Sequence, residues 1–239
     1  MCAVWSLCPS VVKIFLPIKV CHTFRETRSF NTARIFSAFR LLFYGRLSQN
    51  GLPRRHGCDG FEFDVRRTAD GRALICHDPN VGEIEIAQAG PGELADFPDL
   101  HRVLGRYHAS AFLDIELKVA GLEPSVLQSL RFHPPQRGYF VSSFLPEVLL
   151  TLRKLDERVP LGLLCETSSQ LAAWPQFPAQ YVLPHYTLMD VDLCEELRKD
   201  KRKVFIWTVN RKESMQKFQK MGVDGIISDD TETLAKLRE

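Results

Sequence analysis

The chain has 239 residues, 45% of them hydrophobic and 25% charged, which suits one large globular domain or a (β/α)-type barrel at the short end of its range. A formal charge of +2 is too small to argue for nucleic acid or a membrane surface as partner. Seven cysteines (Cys2, Cys8, Cys21, Cys58, Cys76, Cys165 and Cys194), irregularly spaced and without a Cys-x-x-Cys pair, form no Cys/His cluster of zinc type and read as reduced thiols of a cytoplasmic protein.

Residues 1–56 form an atypical N-terminal segment, rich in Lys and Arg with Glu26 as its one acid. Val11 to Val20 is apolar but interrupted by Lys13, Pro17 and Lys19, so it is neither a membrane span nor a clean signal peptide, and its character is faintly that of an organelle transit peptide. A helix is predicted over 31–44, with Ile35, Phe36, Phe39, Leu42 and Phe43 on one face. The second unit, residues 57–239, alternates strand and helix. Its strands are predicted at 61–65, 74–77, 111–118, 138–144, 160–165, 181–184, 204–209 and 225–228. Helices are predicted at 100–107, 123–130, 146–156, 168–174, 191–201, 212–221 and 231–237. That alternation predicts an α/β fold with a parallel sheet. With 74–77 set aside as a hairpin companion of 61–65, seven barrel-type strands remain, where a (β/α)8 TIM-type barrel needs eight.

Phe61 to Val65 alternates apolar and acidic residues, so Glu62 and Asp64 leave one face of the strand, roughly 7 Å apart along it. Asp70-Gly71 is a hairpin signal that returns the chain and brings His77 near the acidic pair. On 111–118 a second polar face carries Asp114, Glu116 and Lys118. Barrel sites lie at the C-terminal ends of strands, where Glu62, Asp64, Glu116 and Lys118 all fall. Carboxylates buried side by side need a cation between them, or an internal salt bridge to Lys118 or Arg66. Oxygen-only ligation suits Mg²⁺ or Ca²⁺.

The run Asp59-Gly60-Phe-Glu62-Phe-Asp64-Val, then Asp70-Gly71 and His77-Asp78-Pro79, resembles the core motif of glycerophosphodiester phosphodiesterases. Asp114-Ile-Glu116-Leu-Lys118, Val141-Ser-Ser-Phe144, Trp207-Thr-Val-Asn210 and Gly222 through Asp229 follow in the family's order. The resemblance implies metal-dependent hydrolysis of a small-molecule glycerophosphodiester to an alcohol and glycerol phosphate, in lipid and glycerol metabolism. It implies Glu62, Asp64 and Glu116 as ligands of one divalent cation, Mg²⁺ or Ca²⁺, and His77 as acid/base. Lys118 is a second positive contact on the Glu116 face. Trp207 stands where the family has a pocket aromatic, and core packing is its alternative role. His185 lines the mouth or is a satisfied surface residue; His101, His108 and His133 show no partner pattern.

One part of the family pattern is missing. Such enzymes open with His-Arg-Gly on the first strand and Pro-Glu-Asn-Thr after it, and neither is found here. Val20-Cys21-His22, with Arg25 and Asn31-Thr32, is the nearest echo. A mis-called start, a reading-frame slip, or a degenerate first strand and helix would each give this abrupt join. The expectations are therefore a barrel whose first strand is missing or replaced, with Val11 to Val20 as one filler, and impaired hydrolysis. The alternative is a barrel that binds metal and phosphodiester, or a protein partner, without hydrolysis.

Overall fold

The computed structural model describes residues 39–44 and 59–237. Eight strands form a closed ring: β1 (Phe39–Tyr44), β2 (Gly60–Arg67), then, beyond a short flanking strand β3 (Ala73–Ile75) and a small ribbon of β4 (Asn80–Val81) and β5 (Ile84–Glu85), β6 (Phe112–Leu117), β7 (Tyr139–Ser143), β8 (Leu161–Cys165), β9 (Tyr181–Pro184), β10 (Lys203–Ile206) and β11 (Gly225–Ser228). β2 and β6 to β11 run parallel in sequence order, as strands joined by crossover helices must. The helices are α1 (Leu100–Tyr107), α2 (Glu123–Phe132), α3 (Pro146–Leu155), α4 (Ser168–Ala172), α5 (Val191–Lys199), α6 (Lys212–Met221) and α7 (Thr231–Lys236). Asp99, Asp190 and Asp230 cap α1, α5 and α7 by accepting backbone N–H bonds, and Thr167 and Gln170 form a capping box on α4. The helix predicted over 168–174 stops at Ala172 because Pro175 opens a separate short turn, Trp174–Gln176.

The predicted helix over 31–44 is corrected at its end: Phe39–Tyr44 is a strand. It pairs antiparallel with β11 (Leu41 with Ser228) and with β2 (Leu41 with Phe61), and so replaces the first barrel strand. The edge of β2 is shared, Gly60 to Phe63 pairing with β1 and Val65 to Arg67 with β3. A helix here would leave the facing edges of β2 and β11 with unpaired backbone groups, and that requirement overrides a local helical periodicity. A run of Phe, Leu and Tyr also has strand propensity. Residues 11–20, His22 and 31–38 lie outside the described residues. Leu41→Pro removes a ladder N–H from a strand bonded on both sides. It should cost about 2–3 kcal/mol, roughly 4–12 °C of thermal midpoint. An unchanged midpoint would show that ring closure does not depend on β1.

Two apolar layers hold the barrel. The larger lies between the outer faces of the strands and the helices, with Phe63, Val65, Leu113, Ile115 and Val141 fully buried against residues such as Leu104, Val126, Leu149 and Leu197. The smaller fills the inside of the ring with Phe112, Phe140, Tyr181, Phe205, Leu164, Leu183 and Ile227. Phe140 stacks on Tyr181 with centroids 4.2 Å apart and meets Phe205 edge-on at 5.3 Å. Glycine makes room for these rings: a β-carbon at Gly162 would lie 2.8 Å from Leu183 and 2.9 Å from Phe140, and one at Gly225 would run into Phe205. This aromatic floor plugs the N-terminal end of the barrel, so polar chemistry is confined to the other end. No helix among the described residues is long and apolar enough to cross a membrane.

Candidate active site

β2 and β6 are parallel neighbours in a register that sets Glu62 beside Asp114 and Asp64 beside Glu116. Alternation then sends all four carboxyls to the inner face, where each is at least 96% buried. The ligand oxygens of Glu62, Asp64 and Glu116 lie within 4.8 Å of one another. Oxygens bound to Ca²⁺ at about 2.3–2.6 Å can lie up to about 5 Å apart, and those on Mg²⁺ up to about 4.2 Å, so the three side chains could hold one hard cation, Mg²⁺ requiring them to draw closer. Lys118, just past the end of β6, extends the ladder by donating its N–H to Val65 O at 3.1 Å. Its Nζ stands 2.9 Å from Asp64 Oδ1 and 2.5 Å from Glu116 Oε1. Burial works against the ammonium, but Glu116 and Asp64 outweigh it and hold the lysine pKa above its ordinary value.

β3 returns beside β2 with Ile75 opposite Val65, and Cys76 N donates to Asp64 O at 3.1 Å. The hairpin therefore runs alongside the acid face up to His77, whose carbonyl accepts from Arg66 Nε at 2.9 Å. Arg66 is thus spent on the hairpin, and the internal salt bridge is made by Lys118. His77 Nδ1 lies 2.9 Å from Asp78 Oδ1. His77, Glu62, Glu116 and Lys118 line one open cavity of about 250 Å³, together with Trp207, Phe144 and Glu166. Trp207 is both packed and cavity-lining. It lines the cavity while donating Nε1–H to Leu183 O at 2.8 Å and meeting Phe144 edge-on at 5.4 Å. His185 sits behind it, 5.1 Å from the indole, with Nδ1 2.7 Å from Thr187 Oγ1.

The sequence model of the family described as "Glycerophosphoryl diester phosphodiesterase family" matches residues 113–233. A relative from Caldanaerobacter subterraneus subsp. tengcongensis, a glycerophosphodiester phosphodiesterase, is 30% identical over 213 residues, covering 76% of this chain and 86% of its own. The chain belongs to the glycerophosphoryl diester phosphodiesterase family. A glycerophosphodiester phosphodiesterase of Bacillus altitudinis is 25% identical, with 77% of this chain and 87% of the relative covered. Among solved structures the fold matches a glycerophosphodiester phosphodiesterase from Parabacteroides distasonis with a TM-score of 0.67, at 22% identity and 76% and 85% coverage. It also matches an Oleispira antarctica phosphodiesterase in complex with the product sn-glycerol-3-phosphate, with a TM-score of 0.66, at 21% identity and 74% and 84% coverage. These matches agree with the TIM-type barrel expected from strand and helix alternation.

Glu116, Lys118 and Trp207 fall inside the residues matched by the family model, and Glu62, Asp64 and His77 precede them. Two late family motifs meet in space: Asn210 Oδ1 accepts from Ser228 Oγ at 3.0 Å and from Asp229 N at 2.9 Å, tying the end of β10 to that of β11. Three further residues at this site had no role assigned from the sequence, although Asp114 was placed on the polar face of its strand and Phe144 closed a family motif. Phe144 and Glu166 reach the cavity because they continue the inward faces of β7 and β8, a signal that strand parity alone could have supplied. Asp114 lies one step deeper than Glu116 and is fully buried, with Oδ1 accepting from Ser142 Oγ at 2.5 Å. Burial drives its pKa well above the carboxylate range; the Ser142 bond opposes this, and the charges of Glu116 and Asp64 add to it. Asp114 is therefore a polar floor beneath the three-acid group, with burial favouring its neutral form.

Proposed function

We propose that this chain hydrolyses glycerophosphodiesters to an alcohol and glycerol phosphate, using one divalent cation, Mg²⁺ or Ca²⁺, held by Glu62, Asp64 and Glu116. The observation that carries the reading is the convergence of Glu62, Glu116, Lys118 and His77 on one cavity at the C-terminal end of a barrel of this family, with the Asp64 carboxylate grouped beside Glu62 and Glu116. When bound, the cation polarises a phosphate oxygen and offsets charge that develops on the diester. Lys118 adds a second positive group to the same side of the cavity. His77, with Nδ1 held by Asp78, keeps Nε2 for donating a proton to the departing alkoxide. Trp207 and Phe144 form an apolar wall against which the organic part of the diester rests. The phosphorus–oxygen bond to the alcohol breaks, water supplies the new oxygen, the alcohol leaves with the proton from His77, and the proton shed by the water restores the imidazolium through solvent. The glycerol phosphate named with the Oleispira structure is a product of this class. Free Cys76 and Cys165 fit the cytoplasm we propose as its compartment.

Release of glycerol 3-phosphate from glycerophosphocholine and glycerophosphoethanolamine, read by a coupled dehydrogenase, tests the proposal. Release should stop in EDTA and return with Mg²⁺ or Ca²⁺. Cation binding without any release would overturn hydrolysis and leave a barrel that binds metal and phosphodiester. Lys118→Met supplies a separate check. The ammonium that now sits against Asp64 and Glu116 repels a cation, so its removal should tighten cation binding by about an order of magnitude while slowing turnover. Weaker cation binding in that variant would show that Lys118 supports the site instead.

A further inference from the structure

Three histidines that show no pattern along the chain come together on the outside of the barrel. His101 and His108 lie on one side of α1, two helical turns apart, and His133 caps the C-terminus of α2. His133 Nε2 is 3.3 Å from His101 Nε2, and the two rings lie with centroids 4.4 Å apart. The His108 ring follows at 5.6 Å from His133. Its Nδ1 lies 3.0 Å from Leu104 O; an N–H donated there leaves the lone pair on Nε2, the tautomer in which imidazole binds metals through that nitrogen.

The seat between them is shaped by a glycine. Gly105 falls between His101 and His108 on α1, and a β-carbon there would come within 3.3 Å of His133 Nε2. Glycine inside a helix costs about 1 kcal/mol against alanine, and here it leaves the imidazole room to approach.

We propose that His101 and His133 bind a transition-metal cation of the Zn²⁺ class, bridging α1 and α2 on the surface of the barrel and separate from the three-carboxylate site. A tetrahedral ion with metal–nitrogen bonds of about 2.0–2.1 Å holds two ligand nitrogens about 3.3–3.4 Å apart, the separation already present between the two Nε2 atoms. Imidazole selects Zn²⁺, Cu²⁺ or Ni²⁺ over the hard cations that suit the carboxylates, so the two sites differ in chemistry as well as place. Water completes the coordination, and the bound ion staples two neighbouring helices of the barrel wall. None of this depends on the phosphodiesterase reading.

The test uses the untagged full chain, reduced, with excess Mg²⁺ present to saturate the carboxylates. Zn²⁺ is titrated calorimetrically into the native protein, His101→Gln, and His101→Gln with His133→Gln. Thermal melts of each are recorded with Zn²⁺ and with EDTA. The double variant should lose one equivalent of Zn²⁺ per chain and the Zn²⁺-dependent rise in melting temperature, while its melt in EDTA matches the native one. Glu62→Gln with Asp64→Asn should keep both. Equal Zn²⁺ stoichiometry and stabilisation in native and double-histidine proteins would overturn the assignment, as would loss of that equivalent in the carboxylate variant alone. Should the double variant melt differently in EDTA, His101→Gln decides by the same comparison, because His101 is exposed and its removal leaves the core untouched.

Discussion

Glu62→Gln with Asp64→Asn is expected to abolish cation binding and, with it, hydrolysis. The native chain at a cation concentration about 100 times the dissociation constant gains about 2.7 kcal/mol, which for a protein of this size raises the melting temperature by roughly 5–10 °C. The double variant should show no rise with either Mg²⁺ or Ca²⁺, because Glu116 is then the one charged ligand left in a group whose oxygens lie within 4.8 Å. The substitutions keep size and hydrogen-bonding capacity, so the melt without cation reports whether the barrel still folds. Calorimetric titration and paired melts decide the matter. Unchanged binding in the double variant would place the cation elsewhere.

His77→Ala is the second large effect. General acid catalysis by a positioned imidazole contributes about 10² to 10⁴ in rate, and it matters most when the leaving group is a poor one. Turnover of glycerophosphocholine should therefore fall by about that factor. A diester with a nitrophenolate leaving group, which departs without needing a proton, should lose far less. His77 side-chain exposure of 42% and its position on a hairpin beside the acids mean that the variant should retain cation binding and fold. Equal losses on both substrates would assign His77 a role other than proton donation. Asp78→Asn should reproduce a weaker version of the same pattern, since Asp78 meets His77 at Nδ1 and orients it.

The acid face was legible because strand parity is a local property: once 61–65 and 111–118 are read as strands, Glu62, Asp64, Glu116 and Lys118 must share the barrel interior. What parity does not give is depth. Asp114 has the same parity as Glu116, yet full burial pushes its carboxyl pKa up against the opposing hydrogen bond from Ser142 on β7. The strand at Phe39–Tyr44 was misread because its residues also satisfy a helical period, and the deciding factor is the pair of open edges that β2 and β11 present to it. The histidine group was invisible for a related reason. His101 and His133 are 32 residues apart and meet through the packing of two helices, which no short-range pattern encodes. Helix and strand ends fared well where a cap or proline marks them, as at Pro146 and Gly222, whose φ of 82° closes α6.

β1 has consequences for the order in which the barrel is made. Its two partners lie at very different distances along the chain, β2 following soon after it and β11 near the C-terminus. During synthesis β1 and β2 can pair as a local antiparallel unit as soon as both have left the ribosome. The other side of β1 has nothing to bond until Gly225–Ser228 has been made, because the N-terminal parts of a chain are finished first. The β1–β11 pairing is thus the longest-range one in the sheet, and such contacts are slow to form. Until β11 is available the nascent sheet carries an exposed seam at β1. An open strand edge is a template for pairing with another chain, so aggregation of the unfinished barrel is governed by residues far from the cavity.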